Sequence, residues 1–572
     1  MPSPQPRTPP PDQTEREKAI DPRRSILVRA PAGSGKTTLL AERFLRLLVE
    51  VDEPGQVVAI TFTDAAAAEM RNRVLDELQK DEPNLIARRA LEHSQTQGWN
   101  LLDLPAQLRI QTIDSFCRDL ALQQPLVTAL SGGLDIAKQP AELYRRAARR
   151  TLEQLGKHDA ALSEAIEALL FWRDNNWTET EDLTVEMLAN RDRWMHDFVL
   201  DRDPDWLALR ERLERPLARA HPGDPALAHY TDAEWSIVRA CFTLLRHAAA
   251  ELRVVFAEAA AVDFVEVAQI ALNVLKGEDE FPLDAAQAVA DGIHHLLVDE
   301  FQDTSRRQHE LLRRLIAAWP EREGRTCFVV GDPMQSIYFF RDADAELFPR
   351  VEQLGLEIPG DLPLRFDPVL LTANFRSAPP LVRSVNDMFT RVFAGDDGSG
   401  VTFTKAEPAR DKDDDAAQPG PRLVAESAPF MSLHLEFMPD SPRGKLDPDR
   451  KKQIAAKREA ARDRQIDETV AIVRGHLPRI EAALAANAQK QSSGKREKYR
   501  IAILGRARKS LAPIAAALRQ AAIPFRAVDL EELQDRPEII DALTLVRALL
   551  NPHDRVAWLG VLRAPWCGLS LA

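Results

Sequence analysis

The stretch Ala30-Pro31-Ala32-Gly33-Ser34-Gly35-Lys36-Thr37 constrains the fold of this chain more than any other. It follows the apolar run Ser25-Ile26-Leu27-Val28 and leads into Leu39, Leu40, Phe44, Leu45, Leu47 and Leu48 at helical spacing. A buried strand, a glycine turn and a helix N-terminus in that order build a cradle for phosphate. Gly33 and Gly35 let the backbone curl so that successive N–H groups converge on one anion, and the helix dipole adds positive potential. Lys36 is placed to reach the β- and γ-phosphates, and the Thr37 hydroxyl to hold a magnesium ion. Ala30 stands where the pattern usually begins with glycine, while Gly35, Lys36 and Thr37 match it. The flanking strand and helix weigh against a chance glycine-serine loop, so the stretch predicts binding of a nucleoside triphosphate.

The surrounding pattern is α/β. Residues 57–63 (VVAITFT) form a β-branched run, Asp64 is the expected N-cap of a helix through AAAAEMRNRVLDEL, and a third strand is expected over Arg109–Asp114. Strands alternating with helices imply a parallel sheet with right-handed crossovers. From about Leu126 to Gly292 alanine, leucine, arginine and glutamate dominate, which predicts a helical insertion with Trp172, Trp177, Trp194, Trp206 and Trp235 as core anchors. Strands resume at His294–Glu300, Thr326–Asp332 and Val369–Thr372. The stretches 395–425 and 440–464 are rich in charge, proline and glycine and read as surface insertions. Lys451-Lys452 within them is a candidate nucleic-acid contact, although such runs are more often solvated helix faces. A second α/β unit is expected from a strand at Arg500–Leu504, a helix around Pro513–Ala521 and a strand at Pro524–Val528.

Composition excludes some classes. Cys117, Cys241, Cys327 and Cys567 are far apart with no C-x-x-C pair, which argues against a zinc ribbon or iron–sulfur cluster and fits a reducing cytoplasm. No apolar run has the length of a membrane span, so no membrane partner is expected. The proline-rich N-terminus lacks the apolar core of a secretory signal. A net charge of −13 does not exclude nucleic acid, because a local basic groove matters more than the sum.

Leu296-Leu297-Val298-Asp299-Glu300 is an apolar strand ending in two carboxylates, and in a parallel sheet that end faces the ligand crevice. Asp299 is suited to hold magnesium, and Glu300 to take a proton from water attacking the γ-phosphate. Adjacent acids of this kind favour hydrolysis over transfer. Gln335, after another strand, is placed to sense the γ-phosphate, and Phe339 and Phe340 could stack on bases or fill a core.

Seven segments, GSGKT, AITFTDAAAAEM, IQTIDSFC, LLVDEFQDTS, GDPMQSIYFFR, LTANFRS and AILGRARKSL, occur in the order and rough spacing of superfamily 1 DNA helicases of the UvrD/Rep type. The forms APAGSGKT and TIDSFC resemble the RecB/AddA-like helicase–nuclease branch most. The resemblance covers about Asp12 to the end. It implies RecA-like motor domains: 1A from residues 1–125 and 292–366, a helical domain 1B at 126–291, a partial 2A at 367–551 and the start of 2B at 552–572. By the same resemblance Ala30 to Thr37 bind ATP, and Thr37 and Asp299 hold magnesium. Glu300 is the catalytic base, Gln335 couples the γ-phosphate to DNA, and Arg376 reaches that phosphate. Phe375 replaces the tyrosine stacked on adenine. Thr61, Phe62, Thr63 and Thr112 match single-stranded DNA contacts, and Phe340 replaces a base-stacking tryptophan.

The departures define further expectations. Glu15 stands where the family's adenine-reading glutamine belongs, with Gln13 two positions off; Ala65 and Asp114 replace a frequent lysine and histidine. The family motif around A-K-G-L-E and the motif with a further arginine have no counterpart here, nor is there a nuclease signature. The resemblance therefore implies a C-terminally shortened 3′–5′ DNA helicase, acting on single strands and duplex ends in recombination or repair, that hydrolyses ATP poorly by itself. One alternative is a component of a helicase–nuclease, with the nuclease further along the chain or on a partner. A nucleotide-gated DNA-binding module is the other.

Overall fold

Six parallel strands carry the architecture, and their residues explain why. In the computed structural model, β1 (Ile26–Arg29), β2 (Val57–Thr61), β3 (Arg109–Thr112), β6 (His295–Val298), β7 (Thr326–Gly331) and β8 (Asp367–Leu370) form one sheet in the order β3-β2-β6-β7-β1-β8. Every residue of β2, β6 and β7 is buried, as expected when helices cover both faces of a parallel sheet. Alternate residues go to opposite cores. Leu27, Val58, Ile60, Leu296, Val298, Cys327 and Val329 face one, and Ile26, Val28, Val57, Ala59, Leu297, Phe328 and Val330 the other.

The structure describes residues 9–80, 82–122, 135–137, 140–157, 159–195, 204–220, 225–276, 283–337, 346–395, 401–409, 432–437, 448–489, 499–527 and 536–570. The chain divides into two compact units, Met1–Asp415 and Ala416–Ala572.

In the first unit, α1 (Gln13–Ala19) precedes β1, and α2 (Lys36–Leu47), α3 (Asp64–Leu78) and α4 (Leu85–Thr96) contribute to the second core. α5 (Ile113–Leu122) contributes to the first. The helical insertion follows: α6 (Ala141–Leu152), α7 (Ala160–Trp172), α8 (Trp177–Ala189), α9 (Trp206–Ala220), α10 (Pro225–Ala228), α11 (Asp232–Ala259), α12 (Phe264–Lys276) and α13 (Leu283–Asp291). Its short strands β4 (Asp135–Ile136) and β5 (Ala261–Val262) pair in parallel. The insertion is only partly a separate core: α7 forms a small cluster with Leu152, Ala240 and Leu244, whereas other residues of α6, α11 and α12 are continuous with those of α5, the sheet and α14 (Arg306–Ala317). α15 (Leu347–Leu354) precedes β8, and β9 (Ala373–Asn374), α16 (Pro379–Val392) and β10 (Glu407–Pro408) close the unit.

A buried ionic knot holds the insertion together. The Arg191 guanidinium donates to both carboxylate oxygens of Asp263 at 2.5 and 2.6 Å and to Glu266 at 3.2 Å, and the Tyr144 hydroxyl donates to Asp263. Asp263 also caps α12, accepting from the Glu266 N–H at 2.9 Å.

Four expectations are corrected. Thr63, not Asp64, caps α3: its hydroxyl accepts from the Ala66 N–H at 3.1 Å, and Asp64 is the first helical residue. Trp194 and Trp235 are buried, but Trp172 and Trp177 are exposed around the turn between α7 and α8, where Asp174 and Asn175 take positive φ. The strand expected at Val369–Thr372 to open a second motor is β8, which pairs with β1 and extends the first sheet past residue 366. The strands expected at 500–504 and 524–528 are absent among the described residues.

In the second unit, α17 (Pro448–Gln489) and α18 (Arg508–Gln520) bury Val470, Val473, Leu518 and Ile523, and Ile501 and Ile503 pack on that cluster. Ile501 and Ile503 are thus packed against helices rather than in a sheet. α17 carries the exposed Lys451-Lys452. α19 (Pro537–Leu550) and α20 (Arg555–Arg563) meet through Ala548, Ala557 and Val561.

Candidate nucleotide site

The C-terminal ends of β1, β6 and β7 bring the sequence-predicted residues together, at the edge where parallel sheets bind ligands. After β1 the loop turns through Gly33 at φ +83° and Gly35 at φ +81° before α2 begins at Lys36. Both values favour glycine. Gly33 is required for space as well: a Cβ there would lie 2.8 Å from Asn374 Oδ1 and 2.9 Å from Arg376 Cβ.

That closeness comes from the segment after β8. The Asn374 amide donates to the Ala32 carbonyl at 3.0 Å and accepts from the Arg376 and Ser377 N–H groups at 3.0 and 2.8 Å. The Phe375 N–H donates to the Gly33 carbonyl at 2.8 Å. Phe375, 39% exposed, and the exposed Arg376 are thereby held against the loop.

Across the loop, Lys36 Nζ meets Glu300 Oε2 at 2.6 Å. Glu300 sits at φ +51°, a left-handed conformation that a non-glycine residue adopts at some cost. The Gln302 amide donates to Glu300 at 2.7 Å and accepts from the Asp332 N–H at 2.9 Å, and the Asp332 carboxylate accepts from the Gln335 amide at 2.6 Å. Lys36, Glu300, Gln302, Asp332 and Gln335 therefore form one hydrogen-bonded chain from the α2 N-terminus to the end of β7. Gln302 and Asp332 are not singled out by the sequence, although both lie inside motif segments.

Asp299 is pushed up to about 6, first by burial and then by the neighbouring Glu300 charge. Asp303 is pushed up to about 6 by the same two causes. Asp303 Oδ1 and the Ser34 hydroxyl are buried with no partner among the described residues. Crowded carboxylates of this kind favour a cation, and the oxygen donors of Thr37 and Asp299 suit magnesium.

The predicted DNA-contacting residues are placed differently. Thr61 is buried and its hydroxyl donates to the Thr63 carbonyl at 3.2 Å. Thr112 is also buried; its hydroxyl donates to Ser115 Oγ at 2.9 Å and accepts from the Ser115 N–H at 3.2 Å. These threonines, with Thr63, shape the turns after β2 and β3. Phe62 between them is half-buried. Phe340 lies outside the described residues.

A cavity of about 430 Å³ opens beside the loop, lined by Gln13, Arg16, Gly35, Thr38, Glu42 and Phe375 among others. Gln13, not Glu15, reaches it, while Glu15 pairs with Lys18 at 3.8 Å. Arg16, missed in the sequence, donates to both Asp12 oxygens at 2.7 and 3.0 Å and to the Ser34 carbonyl at 2.7 Å. Asp12 in turn accepts from the Thr372 and Ala373 N–H groups, each at 2.9 Å.

Comparison with known families gives this geometry a context. The UvrD/REP helicase N-terminal domain model matches residues 12–354, and the UvrD-like helicase C-terminal domain model matches residues 369–570. The chain belongs to the UvrD/REP helicase family. Its relatives include an ATP-dependent helicase/nuclease protein (AddA) of Lysinibacillus sphaericus, 22% identical over 95% of this chain and 52% of the relative. The protein of the same description from Desulforudis audaxviator is 26% identical over 96% of this chain and 52% of its own length. A probable DNA helicase of Mycoplasma pneumoniae is 26% identical over 64% of this chain and 53% of its own length. The chain thus spans about half the length of these curated relatives. As in a UvrD-type helicase, the motor fold here is a RecA-like parallel sheet. No described helix is long and apolar enough to cross a membrane.

Proposed function

We propose that this chain forms the motor of an ATP-dependent DNA helicase of the AddA-like kind, moving 3′ to 5′ on single-stranded DNA during recombination or repair in the cytoplasm. The observation that carries the reading is the Lys36–Glu300 contact within the chain that ends at Gln335. One carboxylate serves both as partner of the phosphate-binding lysine and as base for water, so arrival of a phosphate at the loop frees Glu300 to act. Lys36 moves its charge from Glu300 to the incoming phosphate, and Glu300 then takes the proton of the attacking water. Thr37 and Asp299 would hold magnesium, which would neutralise charge on the phosphates. Gln302 and Asp332 pass the change at Glu300 to Gln335, and Arg376 lies across the loop to meet the γ-phosphate.

DNA enters this reading through Phe62 and Phe340 as stacking residues, with Thr61, Thr63 and Thr112 shaping the backbone that contacts the strand. A nuclease-bearing partner is part of the proposal, on the strength of the relatives named as components of a helicase/nuclease. The test is ATP hydrolysis by this chain with and without single-stranded DNA, together with unwinding of duplexes carrying a 3′ or a 5′ tail. DNA-stimulated hydrolysis at a low rate and preference for the 3′ tail are expected. Hydrolysis indifferent to DNA, or unwinding only from the 5′ tail, would overturn the reading.

A further inference from the structure

The helix that carries the basic run Lys451-Lys452 changes character along its length. α17 joins the core of the second unit only from Val470 onward, through Val470 and Val473. Before that point it is polar nearly all round: from Asp449 to Arg464 only Ala461 is buried, with Ile454 and Arg458 half-buried. Its alanine, lysine, arginine, glutamine and glutamate residues favour helix without a packed face.

Charge on this stretch is sorted by side. At about 100° per residue, Arg450, Lys451, Lys457, Arg458, Arg462 and Arg464 fall within an arc of about 160°. Asp449, Glu459 and Asp463 share the remainder with Lys452. A helix face that is merely solvated is laced with opposite charges four residues apart. Here Arg458 precedes Arg462, and Glu459 precedes Asp463, at that spacing. Like charges therefore stand over one another and weaken the helix, a cost that an anionic partner would offset. Arg464 donates to Glu436 at 2.5 Å. The exposed Arg450, Lys451, Lys457 and Arg462 have no ion-pair partner among the described residues. In a chain of net charge −13 this is a local reversal of sign.

The side chains around these cations narrow the choice of polyanion. No aromatic residue occurs from Pro448 to Gln489, so unstacked bases have no ring to lie on. Ile454 is the one large apolar side chain between Asp449 and Arg464, which leaves nothing to sink into a bilayer. What remains is a helical row of cations about 21 Å long, the length of roughly six base pairs. A duplex carries one phosphate charge per about 1.7 Å of its axis, and a regular row of that density suits a rigid cationic helix.

We propose that the basic face of α17, from Arg450 to Arg462, binds the phosphate backbone of duplex DNA without reading its sequence. The face belongs to the second unit and takes no part in the proposed hydrolysis. The choice of DNA as the duplex rests on the reading of this chain as a DNA helicase. Lys452, the other half of the basic run, lies on the acidic side and is no part of the site.

The test is equilibrium binding of a blunt duplex and of single-stranded DNA, without nucleotide, over a series of salt concentrations. The chains compared are wild type, Lys451→Gln, Lys452→Gln and the combination Arg450→Gln, Lys451→Gln, Lys457→Gln and Arg462→Gln. Glutamine keeps helix propensity, so circular dichroism should not change. Lys451→Gln is expected to weaken duplex binding about threefold and to lower the slope of log affinity against log salt by about 0.9, whereas Lys452→Gln leaves both unchanged. The combined variant should lose at least about tenfold in duplex affinity and about 3 in slope, while single-stranded DNA binds and stimulates ATP hydrolysis as in wild type. Equal losses from Lys451→Gln and Lys452→Gln would show an effect of net charge and overturn the proposal. Equal weakening of duplex and single strand in the combined variant would overturn the assignment to a duplex. If wild type binds neither DNA, the DNA reading of the whole chain fails with this site; if wild type binds the duplex and the combined variant binds it equally well, only this site fails.

Discussion

Two charge clusters in the first unit use similar residues to opposite ends. In the helical insertion, the Arg191 and Asp263 side chains are 2% and 4% exposed, and Tyr144, Glu266 and the α12 cap surround Asp263. At the sheet edge, Lys36 and Glu300 are 13% and 32% exposed, Glu300 holds a left-handed backbone, and Asp299 and Asp303 are destabilised in their charged forms. The first cluster is closed and satisfied, and hydrogen bonding from Arg191 and Tyr144 holds the Asp263 carboxyl below its usual range against the desolvation that opposes it. The second is open and carries repulsion that a ligand would relieve. A buried pair with every partner present is a fold element, whereas a half-exposed pair with excess negative charge is poised for a ligand.

The largest effects should separate the two clusters. Lys36→Ala is expected to lower ATP hydrolysis about a thousandfold, the scale for removing a transition-state charge partner. Its unfolding free energy should change by less than about 1 kcal/mol, because the pair is partly solvated. Arg191→Met should do the reverse. It leaves Asp263 buried beside Tyr144 without its cation and is expected to destabilise the fold by about 3 kcal/mol in urea unfolding, with nucleotide affinity unchanged. If Lys36→Ala destabilised as much as Arg191→Met, the contrast would collapse.

A pH titration of stability sharpens the comparison from a third place. His295 on β6 is pulled down to about 3 by burial, then by Arg43, His294 and Arg325, and His309 on α14 to about 4, first by burial. Unfolded histidines bind protons near 6.5, so between that value and the folded ones the unfolded chain holds more protons, and stability falls as pH falls. Going from pH 7 to pH 5 should remove about 2 kcal/mol per histidine, read as a lower melting temperature. His295→Gln should flatten its share of that slope. A slope unaltered by this change would show that neutral His295 is not the cause.

The smallest predicted effect concerns the clamp on the loop. Asn374→Ala removes the bonds to Ala32, Arg376 and Ser377 and should weaken ADP binding about fivefold through looser placement of Phe375 and Arg376, with stability lowered by about 1 kcal/mol. Undiminished affinity would mean that the segment docks without it.

The sheet was legible because strands buried on both faces read as continuous apolar runs, and the loop because Gly33, Gly35 and Lys36 carry a local rule. Gln302 and Asp332 were less so, since a bridging amide and the carboxylate beyond it have no sequence period. Arg16 was hidden for the same reason: its partners Asp12, Ser34 and Phe375 come from three separate segments. The strand expected at 500–504 failed because Ile501 and Ile503 pack on the α17–α18 cluster, and apolar residues specify a packed face rather than a hydrogen-bonding neighbour; at 524–527 every residue is exposed. Trp172 and Trp177 show the limit of reading aromatics as core, since exposure depends on which end of a helix meets the rest of the insertion.

In the proposed cycle Glu300 is the base that Lys36 releases. Single-turnover hydrolysis of labelled ATP by Glu300→Gln, measured with single-stranded DNA beside a binding isotherm for the same variant, tests this most directly. The prediction is nucleotide binding within about threefold of wild type and hydrolysis lowered at least about hundredfold. Hydrolysis at the wild-type rate, with binding intact, would contradict it.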